Sequence, residues 1–301
     1  MNYLKGIITI VRLPNVLFIG LTQLLCYFFI VKKFTENSHT HIHLTPNLFA
    51  ILCMSTMFIA AAGYIINDYF DIGIDNVNKP HRVTIEKIFK RRSIILSHIF
   101  LNLLALGMLF YICYHELRLR YIFVQLVSIF LLLIYSTTLK RKLIWGNLCI
   151  ALLTALTLWT VAIYEPNFQT VHWNQAGMKY LWLYMLFAFL ITSIREIVKD
   201  IEDIKGDTTL LCKTIPLVWG INTAKKIIYV LVAILIILMT TSFFITLHNI
   251  PQQLFLMLFV IIPLCITLYK LYHAEHSKDF GNVSLYIKII TVMGIISISF
   301  I

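Results

Sequence analysis

The sequence predicts an all-α integral membrane protein, a single bundle of about nine transmembrane helices with its N-terminus on the cytoplasmic side. Three observations lead there. Of 301 residues, 59% are hydrophobic and 13% charged, and the mean hydropathy is +0.84, which leaves too few charges for the surface of a soluble domain of this length. The apolar residues fall in blocks of about 20, enough for a helix to cross a ~30 Å hydrocarbon core, whereas membrane strands are about half as long and alternate. The basic residues also segregate by loop.

The first block, 10–31, opens behind Lys5 and Arg12. No polar, small-residue stretch follows it, so it reads as a retained span rather than a cleaved leader. The second, 47–66, runs into NDYFDIGID at 67–75. The third and fourth, 94–114 and 121–139, end at the basic turn Lys140, Arg141 and Lys142. The fifth is 144–163, and Asn147 near its start stands beside that turn. The sixth, 180–197, runs into KDIEDIKGD at 199–207; Pro216 and Gly220 then separate it from the seventh, 224–247. The eighth and ninth, 252–272 and 283–300, complete the chain given.

With the N-terminus inside, 25 Lys and Arg divide unevenly: only Lys32, Lys33, Arg118, Arg120 and Lys179 fall outside. The positive-inside rule selects this orientation. It also accounts for the net charge of +11, together with anionic headgroups. No basic block with interleaved aromatics points to nucleic acid. No linker divides the chain, so residues 1–301 read as one domain. The six cysteines form no Cys-x-x-Cys pair and read as small packing residues. His39, His41 and His43 alternate in an outer loop, which reads as solvated rather than as a metal site.

The chemistry sits in the two acidic stretches. Both read Asp-x-x-Asp-x-x-x-Asp: Asp68, Asp71 and Asp75, then Asp200, Asp203 and Asp207. On a continuous helix each triad falls within a ~60° arc, with Asn67 beside the first and Glu202 turned away from the second. Like charges at this spacing cost about 0.2–0.5 kcal/mol per pair, and more near lipid, where carboxylates are poorly solvated. Divalent cations compensate naturally. Mg²⁺ takes oxygen ligands, keeps waters, and bridges carboxylates to substrate phosphates. The candidate metal ligands are therefore Asn67, Asp68, Asp71, Asp75, Asp200, Asp203 and Asp207, with a diphosphate between the motifs. Arg12, Lys79, Arg82, Lys140, Arg195 and Lys199 flank them. Each alone is a topology anchor; as a group they suit the phosphate oxygens that metal leaves free.

The run NDYFDIGIDNVNKPHR at 67–82 resembles the first signature of the UbiA-type intramembrane prenyltransferases, and REIVKDIEDIKGD at 195–207 resembles their second, with its aspartate pair at Asp203 and Asp207. The resemblance covers essentially the whole chain. The wording is most similar to the branch that makes digeranylgeranylglyceryl phosphate, and next to chlorophyll synthases. The Arg-Thr of the aromatic-acid branch and the Lys-Ser-Gly of the naphthoate branch are absent. Two departures stand out: Val-Thr-Ile follows Arg82, where many relatives have Pro-Ile-Pro-Ser-Gly, and Tyr135 and Lys140 lie one residue further apart than in many relatives.

The resemblance implies Mg²⁺-dependent transfer of a prenyl group from an isoprenyl diphosphate to a lipophilic acceptor, geranylgeranylglyceryl phosphate or a similar hydroxyl lipid. Asp71, Asp75, Asp203 and Asp207 would be catalytic. Arg12, Lys79, Arg82, Tyr135, Lys140, Arg195 and Lys199 would bind substrate. Tyr64, Tyr69, Phe70 and Tyr135 could face an allylic cation. The implied setting is the cytoplasmic face of a prokaryotic plasma membrane, without an obligate protein partner. Two alternatives stay open: prenylation of an aromatic ring, and transport of a divalent cation or phosphate ester, since transporters also carry intramembrane acids and repeats.

Overall fold

The computed structural model describes residues 3–38, 40–78, 88–115, 119–169, 176–209, 211–245 and 249–301. Among them the chain is helical throughout, without strands. Among the described residues eight helices are long and apolar enough to cross a membrane, and a ninth, Ile122–Thr137, is shorter. In chain order the nine spans are Leu13–Asn37, Pro46–Asn78, Arg91–His115, Ile122–Thr137, Trp145–Ile163, Ala176–Glu202, Ile221–Ile245, Ile250–His273 and Ser277–Phe300. At 1.5 Å per residue the fourth is ~24 Å long; 3₁₀ turns at Leu119–Tyr121 and Leu139–Arg141 flank it.

Two predicted ends move in a way that matters. The second span continues to Asn78 and the sixth to Glu202, so both acidic motifs begin on helix rather than in loops. At ~50 Å, the 33-residue second helix exceeds a ~30 Å hydrocarbon core. The ninth helix starts at Ser277, earlier than its apolar block, so Lys288, counted with the cytoplasmic basic residues by the charge pattern, lies in the middle of a helix.

The second and sixth spans form the centre of the bundle. Of their apolar windows 56% and 61% is buried within the protein, against 17% for the third, whose Phe100, Leu103 and Phe110 are exposed to lipid. The sixth packs on the fifth, seventh and ninth, and the second on the first, third and fourth. One close approach fixes the ninth helix against the sixth. A Cβ at Gly294 would stand 2.1 Å from the ring of Phe187, itself fully buried, so only glycine allows this contact without repacking. The eighth span slips into π-helix at Met257–Ile261, just before Pro263, which has no N–H to donate to the helical ladder.

Candidate active site

Residues from both motifs meet at one end of the bundle. The first piece is a corner between the short helix Tyr3–Ile10 and the first span. Arg12 turns that corner with φ 49°, a left-handed conformation rare for a residue with a side chain. Its carbonyl accepts from the N–H groups of Asn15 and Val16 at 2.7 and 3.2 Å, which starts the next helix. Its guanidinium donates to Asp68 Oδ1 at 2.7 Å and lies 5.0 Å from the centre of the Tyr64 ring. Burial alone would lower the Arg12 pKa, but Asp68, Tyr64 and Asp71 together outweigh it and the net direction is upward.

One turn along, Asp71 is 4% exposed and accepts from Asn67 Nδ2 at 2.6 Å and from Lys140 Nζ. Lys140 comes from the 3₁₀ turn between the fourth and fifth spans. That turn sits directly on Gly146, where a Cβ would be 3.0 Å from Lys140 Cα. Lys213 N–H donates to Arg141 C=O at 3.0 Å, tying the turn to the segment after the second motif.

The second motif is not one helical face. The sixth helix ends at Glu202, Asp203 is a turn residue, and Ile204–Thr209 is a separate short helix packed against the second span. The Asp203 carbonyl accepts from the N–H groups of both Gly206 and Asp207 at 3.1 Å. The expected alignment of Asp200, Asp203 and Asp207 on a continuous helix is thereby corrected. Acidic side chains are disfavoured at the negative end of a helix dipole, and the break lets Asp207, 6% exposed, turn in beside Asp200 separately. Asp200 accepts from Asn147 Nδ2 at 2.8 Å. The buried Cys212, whose N–H donates to Asp207 C=O at 3.0 Å, has its thiol pKa pushed up by burial and then by the Asp207 charge.

Between the motifs lies Glu196, 8% exposed, which accepts from Lys199 Nζ at 2.9 and 3.2 Å and lies 3.6 Å from Arg195 Nη1. Tyr135 sits in the combined field of Glu196, Asp71 and Asp200. Arg12, Asn67, Asp68, Asp71, Tyr135, Lys140, Arg195, Lys199, Asp200 and Asp207 thus belong to one charged cluster. For Asp75 the helical backbone is described but not the side chain, and Lys79 and Arg82 lie outside the described residues. Glu196, Asn15 and Lys288 had no role in the sequence reading. The signal for Glu196 was available: it is a carboxylate inside an apolar span, one turn before Asp200. His43 and Leu44 at the other end donate their N–H groups to the buried Glu165 at 2.9 and 2.8 Å, so the histidine loop is pinned rather than simply solvated; His39 is outside the described residues.

The donor chemistry fits a hard divalent cation. Every candidate ligand is an oxygen, Asn67 Oδ1 is buried without a hydrogen-bond partner, and the carboxylates come in neighbouring pairs, Asp68 with Asp71 and Asp200 with Asp207. Among the described residues no three Asp, Glu, His or Cys side chains form a ready metal cage. That pattern suits an ion held by few protein ligands plus water and substrate oxygens.

Residues 38–288 match the UbiA prenyltransferase family. The digeranylgeranylglyceryl phosphate synthase of Saccharolobus solfataricus is 31% identical over 298 residues, covering 98% of this chain and 95% of that protein. Its counterpart in Methanosphaera stadtmanae is 31% identical over 259 residues, 84% and 88% of the two chains. A solved digeranylgeranylglyceryl phosphate synthase shares the fold with a TM-score of 0.67 at 20% identity, over 99% of this chain and 98% of that one. A UbiA homologue from Archaeoglobus fulgidus bound to DMAPP and Mg²⁺ does so with 0.62 at 17% identity, over 98% and 99%.

Proposed function

This chain belongs to the UbiA prenyltransferase family, and we propose that it moves a prenyl group from an isoprenyl diphosphate to the hydroxyl of geranylgeranylglyceryl phosphate or a similarly built lipid, working as one domain at the cytoplasmic face of a prokaryotic plasma membrane. The observation that carries the reading is the cluster itself: paired aspartates from the two most buried spans, interleaved with Arg12 and Lys140. The named activity of the two full-length relatives supports the choice of acceptor, and the Mg²⁺ and DMAPP of the Archaeoglobus homologue support the cofactor and donor.

Asn67, Asp68, Asp71, Asp75, Asp200, Asp203 and Asp207 would hold Mg²⁺, which when bound neutralises diphosphate charge as a Lewis acid. Asp71, Asp75, Asp203 and Asp207 act as the catalytic ligands. Arg12 and Lys140 release their carboxylate contacts and, together with Lys79 and Arg82, bind phosphate oxygens and stabilise the charge that grows there as the allylic C–O bond breaks. Lys199 and Arg195 are held for substrate by Glu196. The faces of Tyr135 and Tyr64 suit the positive charge left on the prenyl carbon, and a site enclosed by the bundle keeps bulk water from capturing it. The acceptor hydroxyl oxygen then bonds to that carbon. Its proton passes to a carboxylate or to the departing pyrophosphate, so the products are an ether, pyrophosphate and a proton.

The test is transfer of labelled geranylgeranyl diphosphate by the protein in membranes, offered geranylgeranylglyceryl phosphate or 4-hydroxybenzoate, with Mg²⁺ or with EDTA. A Mg²⁺-dependent product with the glyceryl phosphate is expected. Product with the benzoate alone would overturn the acceptor, and no product from any prenyl length would overturn the reaction.

A further inference from the structure

Lys288 is an ammonium group 11 residues into the ninth helix, which begins at Ser277. Its one hydrogen bond is to Asn15 Oδ1, at 2.7 Å. Among the described residues no carboxylate pairs with it, and its charged neighbour is the like-charged guanidinium of Arg195. A lysine within a span is costly to insert, and an amide oxygen offsets little of that. Arg195 is also under-used. Its Nε is buried without a hydrogen-bond partner, and its contact with Glu196 is a loose 3.6 Å. Lys199 shares the same Glu196. Glu196 is thus shared by Arg195 and Lys199, the latter also in the field of Asp200, and the ammonium of Lys288 stands beside Arg195 as an additional positive charge.

Lys288 and Arg195 are not the cations that hold the first motif. Asp68 and Asp71 are matched by Arg12 and Lys140, whereas Lys288, Asn15 and Arg195 come from the ninth, first and sixth spans. Asn15 lies within hydrogen-bond reach of Tyr64, whose ring carries Arg12, so the two sides adjoin. The flank is open to lipid: Leu285 and Ile289, beside Lys288 on its helix, are 58% and 48% exposed. A lipid with its chain in the bilayer can bring its headgroup to Lys288 laterally.

We propose that Lys288, with Arg195 and oriented by Asn15, forms a second anion subsite that takes the phosphate monoester of the lipid acceptor, separate from the diphosphate site at the aspartates. A phosphate monoester carries about −1.5 to −2 charges at neutral pH, opposite in sign to the Lys288 and Arg195 pair. The arrangement places the acceptor between its own phosphate anchor and the prenyl carbon. This assignment deepens the proposed function and rests on its glyceryl phosphate acceptor.

The experiment has two arms. In the first, transfer kinetics are measured for wild type, Lys288→Ala and Lys288→Arg with both substrates varied. The expected result is a rise of at least tenfold in acceptor KM for Lys288→Ala, a donor KM within twofold of wild type, and recovery in Lys288→Arg. A donor KM that rises as much as the acceptor KM, or no rise in either, overturns the subsite. In the second arm, binding of 1-acylglycerol 3-phosphate and of the matching monoacylglycerol is measured in nanodiscs of zwitterionic lipid. Wild type should prefer the phosphate, and Lys288→Ala should lose at least tenfold of that affinity; equal binding by the variant overturns the proposal. Discs doped with phosphatidylglycerol test a bulk headgroup as the occupant: competition equal to that of the monoester overturns the monoester assignment. Should wild type bind the monoester through Lys288 but transfer to no glyceryl phosphate, the acceptor reading fails while the anion site stands.

Discussion

Arg12 and Asp68 form the contact that joins the start of the first span to the first acidic motif, and a double-substitution cycle measures its strength. The pair is 2.7 Å apart, with 35% of the arginine and 19% of the aspartate side chain exposed. Removing one partner of a fully buried pair costs about 3–5 kcal/mol because the remaining charge is stranded. Partial exposure here reduces the expected loss for Arg12→Ala to about 1–3 kcal/mol, between the surface and buried cases. The left-handed backbone at position 12 adds a second effect. Arg12→Gly loses the same ion pair but relieves a backbone cost of roughly 1 kcal/mol, so it should be less destabilised than Arg12→Ala by about that amount. Asp68→Asn in the Arg12→Ala background removes the stranded charge and should restore part of the stability. The assay is reversible unfolding in mixed SDS micelles for the two single variants and the double. A coupling energy of about 1–3 kcal/mol is expected. Additive losses within ~0.5 kcal/mol, or Arg12→Gly no better than Arg12→Ala, would refute the argument.

Asp71→Ala should reduce transfer by at least a thousandfold while the protein still inserts and elutes as wild type, checked by turnover and gel filtration; near-normal activity would remove Asp71 from the catalytic set. Gly294→Val should destabilise the bundle by about 1–3 kcal/mol, the usual cost of overpacking, because its side chain meets the Phe187 ring. Phe187→Ala should return part of that loss in the same unfolding assay. The Cys212 thiol has a raised pKa, so less of it is thiolate at a given pH than in an exposed cysteine. Maleimide labelling at Cys212 at pH 7.5 should be at least tenfold slower than for free cysteine, and should accelerate toward higher pH than it does for the free thiol.

The bundle was legible because lipid imposes long apolar blocks and segregated charge, and nine blocks correspond to nine helices. Helix ends were less legible. Polar residues such as Arg195, Lys199 and Asp200 lower the hydropathy of a span without ending it, since Glu196 and Asn147 give them partners inside the bundle. The acidic motifs were visible as spacing, and Arg12 and Lys140 as nearby cations, but their pairing with Asp68 and Asp71 depends on contacts across 56 and 69 residues of sequence, which local patterns do not encode. The break at Asp203 was missed because a repeat of identical spacing implies identical helices. Asn147 opened a span beside a basic turn, and it donates to Asp200. Lys288 was hidden by the positive-inside pattern, which assigns a lysine near a span's start to the loop before it.

The central claim is that the two acidic motifs form one diphosphate site, and binding tests it without relying on turnover. Geranylgeranyl S-thiolodiphosphate, a slow donor analogue, would be titrated against the protein in nanodiscs with and without Mg²⁺, for wild type, Asp71→Ala, Asp203→Ala and the double variant. A single shared site predicts Mg²⁺-dependent binding in wild type, a loss of at least a hundredfold in each single variant, and little further loss in the double. Binding that survives either substitution, or losses that simply multiply in the double variant, would contradict it.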